Sequence, residues 1–332
     1  MQQIDTMGAR TARTRLTERS MRRIVAWMAV VLLVGIPLIG IVYFLDQAHP
    51  TTPSLVERTI ATAEAAVREN PNALGVRVTL AEAYAAAGRQ EDALRQYDEV
   101  LKAAPENSTA VLGRAVVLLA LDRLDDAKAG FRQVVETGSL GEMANVDPQV
   151  EEALYHLGQI ALRQDDVASA VTYLSDALRI DRTDADALDL LGTALVRAGD
   201  PANAIVAFGR AVALVPTGWC EPYSGLASAY AATGDAAGAG YAGGMVAFCE
   251  GRIDEARTTL EAQVSGTHAV EALVGLGLIA EQAGDAAAAA AAYARVIRLD
   301  PQDFAAISGL NRLGADANGT LRSPAPAGTG SN

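Results

Sequence analysis

The stretch "ADALDLLGTALVRAGDPANAIVAFGRAVALVP", Ala185 to Pro216, contains two apolar patterns of helical spacing, separated by a Gly-Asp turn at Gly199. Apolar and small residues recur on both sides of that turn: Leu188, Leu191, Gly192 and Leu195, then Ala204, Phe208, Ala211 and Pro216. Residues three and four positions apart lie on one face of a helix. The stretch therefore predicts two antiparallel helices that pack against each other.

The same spacing recurs along most of the chain. The first positions of the successive units are residues 74, 108, 151, 185, 220, 237 and 270, and most of these steps are 33–35 residues. Two steps are irregular. An insertion of about nine residues, within Thr137 to Pro148, precedes the third unit, and the step from 220 to 237 is only half a repeat. The regular steps indicate an array of similar structural units.

This array resembles the tetratricopeptide repeat, a helix–turn–helix unit of 34 residues. The resemblance covers roughly Pro71 to Gly314, and it departs from the family at the first helical position, where Trp is common. It implies an all-α helix-turn-helix solenoid over residues 71–314, with about six units, one of them degenerate at 220–264. In such units Gly192 and Ala204 allow close helix approach, while Leu195 and Phe208 fill the space between units.

The N-terminal region has the features of a membrane anchor. Residues 1–23 carry six arginines against two acidic residues, and Ile24 to Leu45 is an uncharged span of 22 residues, about 33 Å long as a helix. A cleaved signal peptide is the alternative, but Asp46 makes a poor cleavage site. The pattern predicts a single transmembrane helix at 24–45 in the cytoplasmic membrane, with 1–23 as a basic cytoplasmic tail.

Everything after the anchor is then expected outside the cytoplasm. Residues 46–70 are predicted as a linker and a leading helix, and residues 315–332 as a disordered tail. The whole chain carries a net charge of −13, which leaves −17 beyond residue 23. A body this acidic does not attract nucleic acid, so no nucleic-acid partner is expected.

The half-repeat step contains the glycine-rich stretch "GYAGGMVAFCEG", Gly240 to Gly251. No charged residue occurs from Ala236 to Cys249, and a helix that is apolar on all sides is a buried one. We expect this helix to be shared between the helix before it and the helix after it, with Gly243 and Gly244 at close backbone approaches. A distorted loop is the alternative interpretation.

The two cysteines of the chain flank the turn before this helix. Cys220 and Cys249 are equally far from a turn centred near Gly234, so an antiparallel hairpin would place them level with each other. A disulfide is expected outside the cytoplasm, and two unrelated buried thiols are the alternative.

The resemblance also implies a binding surface, because the first helices of such units line a surface that binds peptides or helices of other proteins. The inward positions predicted for partner binding are Val116, Tyr155, Gln159, Asp189, Thr193, Ser224 and Ser228. None of these positions holds the lysine of the family's clamp for a C-terminal carboxylate. The three histidines are far apart, and no catalytic, metal-binding or cofactor-binding motif occurs. We therefore expect no cofactor, no metal and no small-molecule substrate.

Three functions follow from these observations. The first is a membrane-anchored scaffold that binds a peptide or helix of a protein client, in export, chaperoning or assembly of cytochrome c-type complexes. The second is a structural subunit of a membrane complex. The third is an enzyme, a hydrolase or oxidoreductase, whose site has no recognisable motif.

Overall fold

The computed structural model describes residues 36, 54–138 and 146–321, and residues 54–138 and 146–321 form fifteen α-helices. In chain order these are α1 Leu55–Glu69, α2 Leu74–Ala86, α3 Gln90–Ala103, α4 Ser108–Ala120, α5 Leu124–Gly138, α6 Pro148–Arg163, α7 Val167–Ile180, α8 Ala185–Arg197, α9 Pro201–Leu214, α10 Glu221–Thr233, α11 Ala236–Cys249, α12 Ile253–Glu261, α13 Ala269–Gln282, α14 Ala286–Leu299 and α15 Phe304–Leu313. The predicted all-α fold is confirmed for this part of the chain.

The predicted membrane anchor lies outside the described residues, apart from the single residue Ile36. The same is true of the basic tail at 1–23. Among the helices that can be assessed, none combines the length and the apolar character needed to cross a bilayer. By its contacts the chain divides into two compact units, residues 1–62 and 63–332, with the boundary inside α1.

The second unit is a succession of helical hairpins, in which α2 pairs with α3, α4 with α5, α6 with α7, α8 with α9, and α13 with α14. Short turns join the helices of each pair, and each turn contains a residue whose backbone has a positive φ, in the left-handed region. Gly88, Gly199 and Gly284 supply it in three pairs, and Asp122 and Asp165 adopt the same conformation in the other two. Aspartates cap several helix N-termini, as Asp184 does by accepting a hydrogen bond from the backbone N–H of Ala187.

Large side chains of the second helices pack between glycines of two neighbouring first helices. The ring of Phe208, on α9, lies against Gly192 of α8 and Gly225 of α10. A Cβ at Gly192 would be 2.7 Å from two ring carbons, so the close approach depends on glycine there. Tyr293 of α14 has the same arrangement with Gly277 and Gly309. These contacts agree with the role predicted for Phe208 as the residue that fills the space between units.

The helix α11 packs against both α10 and α12, which confirms that one helix is shared by two hairpins. Leu260 of α12 is fully buried between Gly244 and Gly275. The expectation for Gly243 was wrong, because a Cβ there would meet no atom within 4 Å. Gly243 therefore lies on an open face of α11, while its neighbour Gly244 faces Leu260.

A disulfide joins Cys220, just before α10, to Cys249 at the end of α11, with the two Cα atoms 5.6 Å apart. It ties together the two helices of this hairpin at the end away from their connecting turn. That turn contains Gly234 in the left-handed conformation.

Two segments outside the regular hairpins complete the description. Most of the predicted insertion, residues 139–145, lies outside the described part of the chain, and Asp147 caps the N-terminus of α6. The beginning of the predicted disordered tail is instead ordered. Residues 315–321 form a turn closed by a single β-bridge between Ala315 and Leu321, and Gly319 lies close to the backbone of Ala290. Residues 322–332 are not described.

Candidate partner-binding surface

The first helices of successive hairpins lie side by side. In chain order, α2 contacts α4, α4 contacts α6, α6 contacts α8, and α8 contacts α10. The row continues beyond the half-repeat, where α11 contacts α13 and α13 contacts α15. We call the solvent-facing side of these helices the first-helix surface. The predicted partner-binding residues all belong to these helices.

The central part of this surface is acidic. Tyr155 on α6 lies close to Asp186 and Asp189 on α8, and Asp189 lies close to Glu221 at the start of α10. We call these four residues the acidic patch. Burial raises the pKa of Asp189 to about 6, and the negative charges of Glu221 and Asp186 contribute to that shift. The patch is a place where added positive charge would be favourable.

The position of Tyr155 is fixed by its neighbour on the same helix. The ring of His156 lies with its centroid 5.1 Å from that of Tyr155 and 5.0 Å from that of Phe131. Burial lowers the pKa of His156, which favours a neutral ring among these aromatic groups. Gln159, one turn further along α6, lies beside His156.

The structure brings only some of the predicted residues together. Tyr155 and Asp189 meet in the acidic patch, and Thr193 follows one turn after Asp189 on α8. Val116 is half-buried and packs against the core beneath α4 and α5. Ser224 and Ser228 are exposed on α10, and the Ser224 hydroxyl donates a hydrogen bond to the carbonyl of Cys220. Asp186 and Glu221 were not predicted, although Asp186 is adjacent to the inward positions of its unit.

A cavity of about 320 Å³ opens where the half-repeat interrupts the array. Its lining comes from α9, α10, α11 and α13 and from the start of α15. The large and charged side chains of that lining include Tyr223, Tyr230, Tyr241, Met245, Glu271 and Phe304. We call it the tyrosine cavity. The cavity was not predicted from the sequence, although the repeat spacing contains a signal for it. Tyr241 and Met245 hold the same inward positions in the unit starting at 237 as Asp189 and Thr193 hold in the unit starting at 185.

The tyrosines of the cavity are held by contacts around it. The Tyr223 hydroxyl donates a hydrogen bond of 3.0 Å to the carbonyl of Pro216. The ring of His268 stacks on Tyr241 with centroids 6.2 Å apart, and its edge contacts Tyr230 at 4.9 Å. His268 is itself fixed by a 2.9 Å hydrogen bond between its Nε2 atom and Asp235.

The repeat assigned from sequence spacing is also found by comparison with known proteins. The sequence model of the tetratricopeptide repeat matches residues 78–141, 131–187 and 241–304, which together make up about half of the chain. The chain belongs to the tetratricopeptide-repeat family. Among curated proteins, none matches the sequence significantly.

Several solved structures are similar to this tetratricopeptide-repeat protein at low sequence identity. YrrB, described as a tetratricopeptide-repeat protein with an unusual peptide-binding site, is 17% identical, with coverage of 75% of this chain and 97% of that one and a TM-score of 0.45. A tetratricopeptide-repeat protein from Parabacteroides merdae is 16% identical, with coverages of 81% and 93% and a TM-score of 0.44. The MamA protein is 21% identical, with coverages of 58% and 95% and a TM-score of 0.43.

Tetratricopeptide-repeat proteins are generally non-catalytic interaction scaffolds, and no enzyme family matches this one. Over residues 54–138 and 146–321, no group of three or more His, Cys, Asp or Glu side chains has an arrangement that could hold a metal ion. The first-helix surface presents carboxylates such as Asp189, tyrosines such as Tyr155 and hydroxyls such as Ser224.

Proposed function

We propose that this tetratricopeptide-repeat protein is a membrane-anchored scaffold that binds a segment of a partner protein on its first-helix surface, outside the cytoplasm. The uncharged span at 24–45 and the arginines before it support the anchor and the orientation. The family supports protein binding as the activity. Export, chaperoning and assembly of a cytochrome c-type complex are the settings in which such a scaffold would act.

The acidic patch is the observation that carries this proposal. Asp186 and Asp189 of α8 lie near Tyr155, and Glu221 of α10 lies near Asp189. Partial burial makes the negative charge of Asp189 costly in the free protein. A lysine or arginine of a partner would reduce that cost by pairing with Asp189. The patch therefore favours a partner segment that is basic or mixed polar, and it disfavours an acidic one.

The proposal predicts that charge reversal in the patch reduces recovery of the partner. The test is copurification of the full chain in mild detergent, with partners identified by mass, using Asp189→Arg together with Tyr155→Ala. Glu136→Arg is a suitable control, because Glu136 is an exposed carboxylate on α5 outside the patch. Equal recovery by the patch variant and the control would remove the patch from the binding site.

Two further measurements test the remaining parts of the proposal. A reporter that is active only outside the cytoplasm, fused after Asn332, should be active in a bacterial host. Activity only from a cytoplasmic reporter would contradict the orientation. A partner present in fixed stoichiometry throughout purification would instead favour a structural subunit of a membrane complex.

A further inference from the structure

The tyrosine cavity has a composition unlike that of the acidic patch. Most of its lining is aromatic or aliphatic, from Tyr223, Leu226, Tyr241, Val274 and Leu278. Met245 also lines it, and this side chain is 2% exposed and packs in the core beneath the cavity. A cavity of about 320 Å³ is at the lower end of the size range of ligand pockets, which suits one or two side chains better than a folded element.

The apolar surface continues out of the cavity onto its rim. Phe304, the first residue of α15, is 80% exposed although its neighbour Ala305 also lines the cavity. A large aromatic side chain left in water at the mouth of an apolar cavity is typical of a surface that a partner covers.

The charged residues that line the cavity are all acidic. Glu271 on α13 and Asp303 before α15 line it, and among residues 54–138 and 146–321 no lysine, arginine or histidine does. Asp303 already accepts a hydrogen bond from the backbone N–H of Ala306. Glu271 has its Oε1 atom 3.7 Å from Nδ1 of His268 and caps no helix, so it is the carboxylate better placed for a ligand. An anionic ligand would be repelled, and a cation beside the apolar group would be attracted to Glu271 and to the tyrosine rings.

We propose that the tyrosine cavity takes a large apolar side chain of the partner segment, with a lysine or arginine next to it in the partner sequence. This inference rests on the proposed function and adds a second contact to it, beyond the acidic patch. The size and apolar lining of the cavity select the apolar side chain of the partner that is bound, and Glu271 pairs with the lysine or arginine next to that side chain. Residues 322–332 include no large apolar residue, so they lack the chemistry to fill the site.

The test uses short fluorescein-labelled peptides and the full chain in detergent at physiological salt, with binding followed by anisotropy. One peptide has Arg-Phe-Leu-Arg at its centre, the second has Glu-Phe-Leu-Glu, and the third has Arg-Ser-Ser-Arg. The first should bind about tenfold more tightly than either of the others, because only it supplies both the apolar group and the cations. Equal binding of the Arg-Phe-Leu-Arg and Glu-Phe-Leu-Glu peptides would overturn the proposal.

Variants locate the binding in the cavity. Val274→Phe fills it and should weaken binding of the first peptide at least about tenfold. Because that variant could disturb folding, Phe304→Ser provides a second test at an exposed position. Its matched control is Val206→Ser, an exposed apolar residue of α9 outside the cavity. Glu271→Gln should weaken binding about threefold, the size expected for a partly exposed ion pair.

Unchanged binding by both Phe304→Ser and Val274→Phe would overturn the proposal. A full chain that binds no peptide and sediments as a dimer would assign the cavity to a second copy, which also overturns it. The test is separable from that of the acidic patch, since Asp189→Arg should leave peptide affinity within about twofold at physiological salt. If Asp189→Arg abolishes partner recovery while no peptide binds, the patch stands and the cavity proposal fails.

Discussion

Two adjacent glycines of α11 provide a matched pair for testing how the shared helix is packed. A methyl group added at Gly244 would lie 2.9 Å from Cγ and Cδ2 of Leu260, closer than carbon atoms pack. Leu260 is fully buried, and its Cδ1 atom would lie 3.0 Å from a methyl group added at Gly275 on the other side, so it has little room to move away. A methyl group at Gly243 would meet no atom within 4 Å.

The expected magnitudes follow from two opposing effects. Replacing glycine by alanine in a helix stabilises it by up to about 1 kcal/mol, and this gain is common to both variants. Overpacking in a tight core costs typically about 1–3 kcal/mol, and it applies to Gly244→Ala alone. We therefore expect Gly243→Ala to stabilise the protein, and Gly244→Ala to be about 1–3 kcal/mol less stable than Gly243→Ala.

The measurement is chemical denaturation of the oxidised protein followed by circular dichroism, with the midpoints compared at an unchanged slope. The difference between the two variants is more informative than either value alone, because helix propensity cancels in it. Equal stabilisation by both substitutions would refute the close packing of α11 against α12. It would mean that Leu260 adjusts freely or that the two helices lie further apart.

Three further outcomes are expected. Burial raises the pKa of Asp189 to about 6, so the folded protein binds this proton more tightly than the unfolded chain. The contribution of Asp189 to the free energy of unfolding should therefore fall as the pH rises from about 4 to 6, and the stability of Asp189→Asn relative to the wild-type protein should rise over that range in denaturation experiments. Reducing the disulfide should lower the denaturation midpoint, since a loop of 29 residues contributes about 3–4 kcal/mol, and a Cys220→Ser, Cys249→Ser variant should not respond to the reductant. Phe208→Ala should cost about 3–5 kcal/mol, whereas Val206→Ala on the exposed face of α9 should change the midpoint little.

The helices and their pairing could be predicted because the information is local and repeated. Each hairpin carries its own apolar spacing and its own turn residue, and five similar copies make chance agreement improbable. The shared helix was predicted because a charge-free stretch coincides with a half-repeat step. The rotation of this helix about its own axis could not be predicted, because a helix that is apolar on all sides has no polar face to indicate which glycine packs against a neighbour. This is why Gly243 was placed wrongly.

The site could be predicted only in part for a related reason. Inward positions follow from the repeat, so it could be predicted that Tyr155 and Asp189 face the first-helix surface; their role in binding stays a prediction. The tyrosine cavity is lined by residues of α9 and of the start of α15, which are far apart in the sequence. A local sequence pattern does not predict that such distant segments lie close together. The turn after α15 is closed by a single β-bridge, and so short a segment has no alternating sequence pattern from which the turn could be predicted.

The shared helix also limits where this protein can be shortened. A chain cut between two regular hairpins loses one whole unit and leaves the amphipathic face of its neighbour to solvent. A chain cut after α11 would remove α12, the second helix against which α11 packs. Because α11 has no charged residue, the face left uncovered would be entirely apolar. During synthesis the same state exists until α12 has left the ribosome, so α11 is the point at which the nascent chain has most need of protection from aggregation. Fragments intended for expression should therefore end at Val215 or continue through α12.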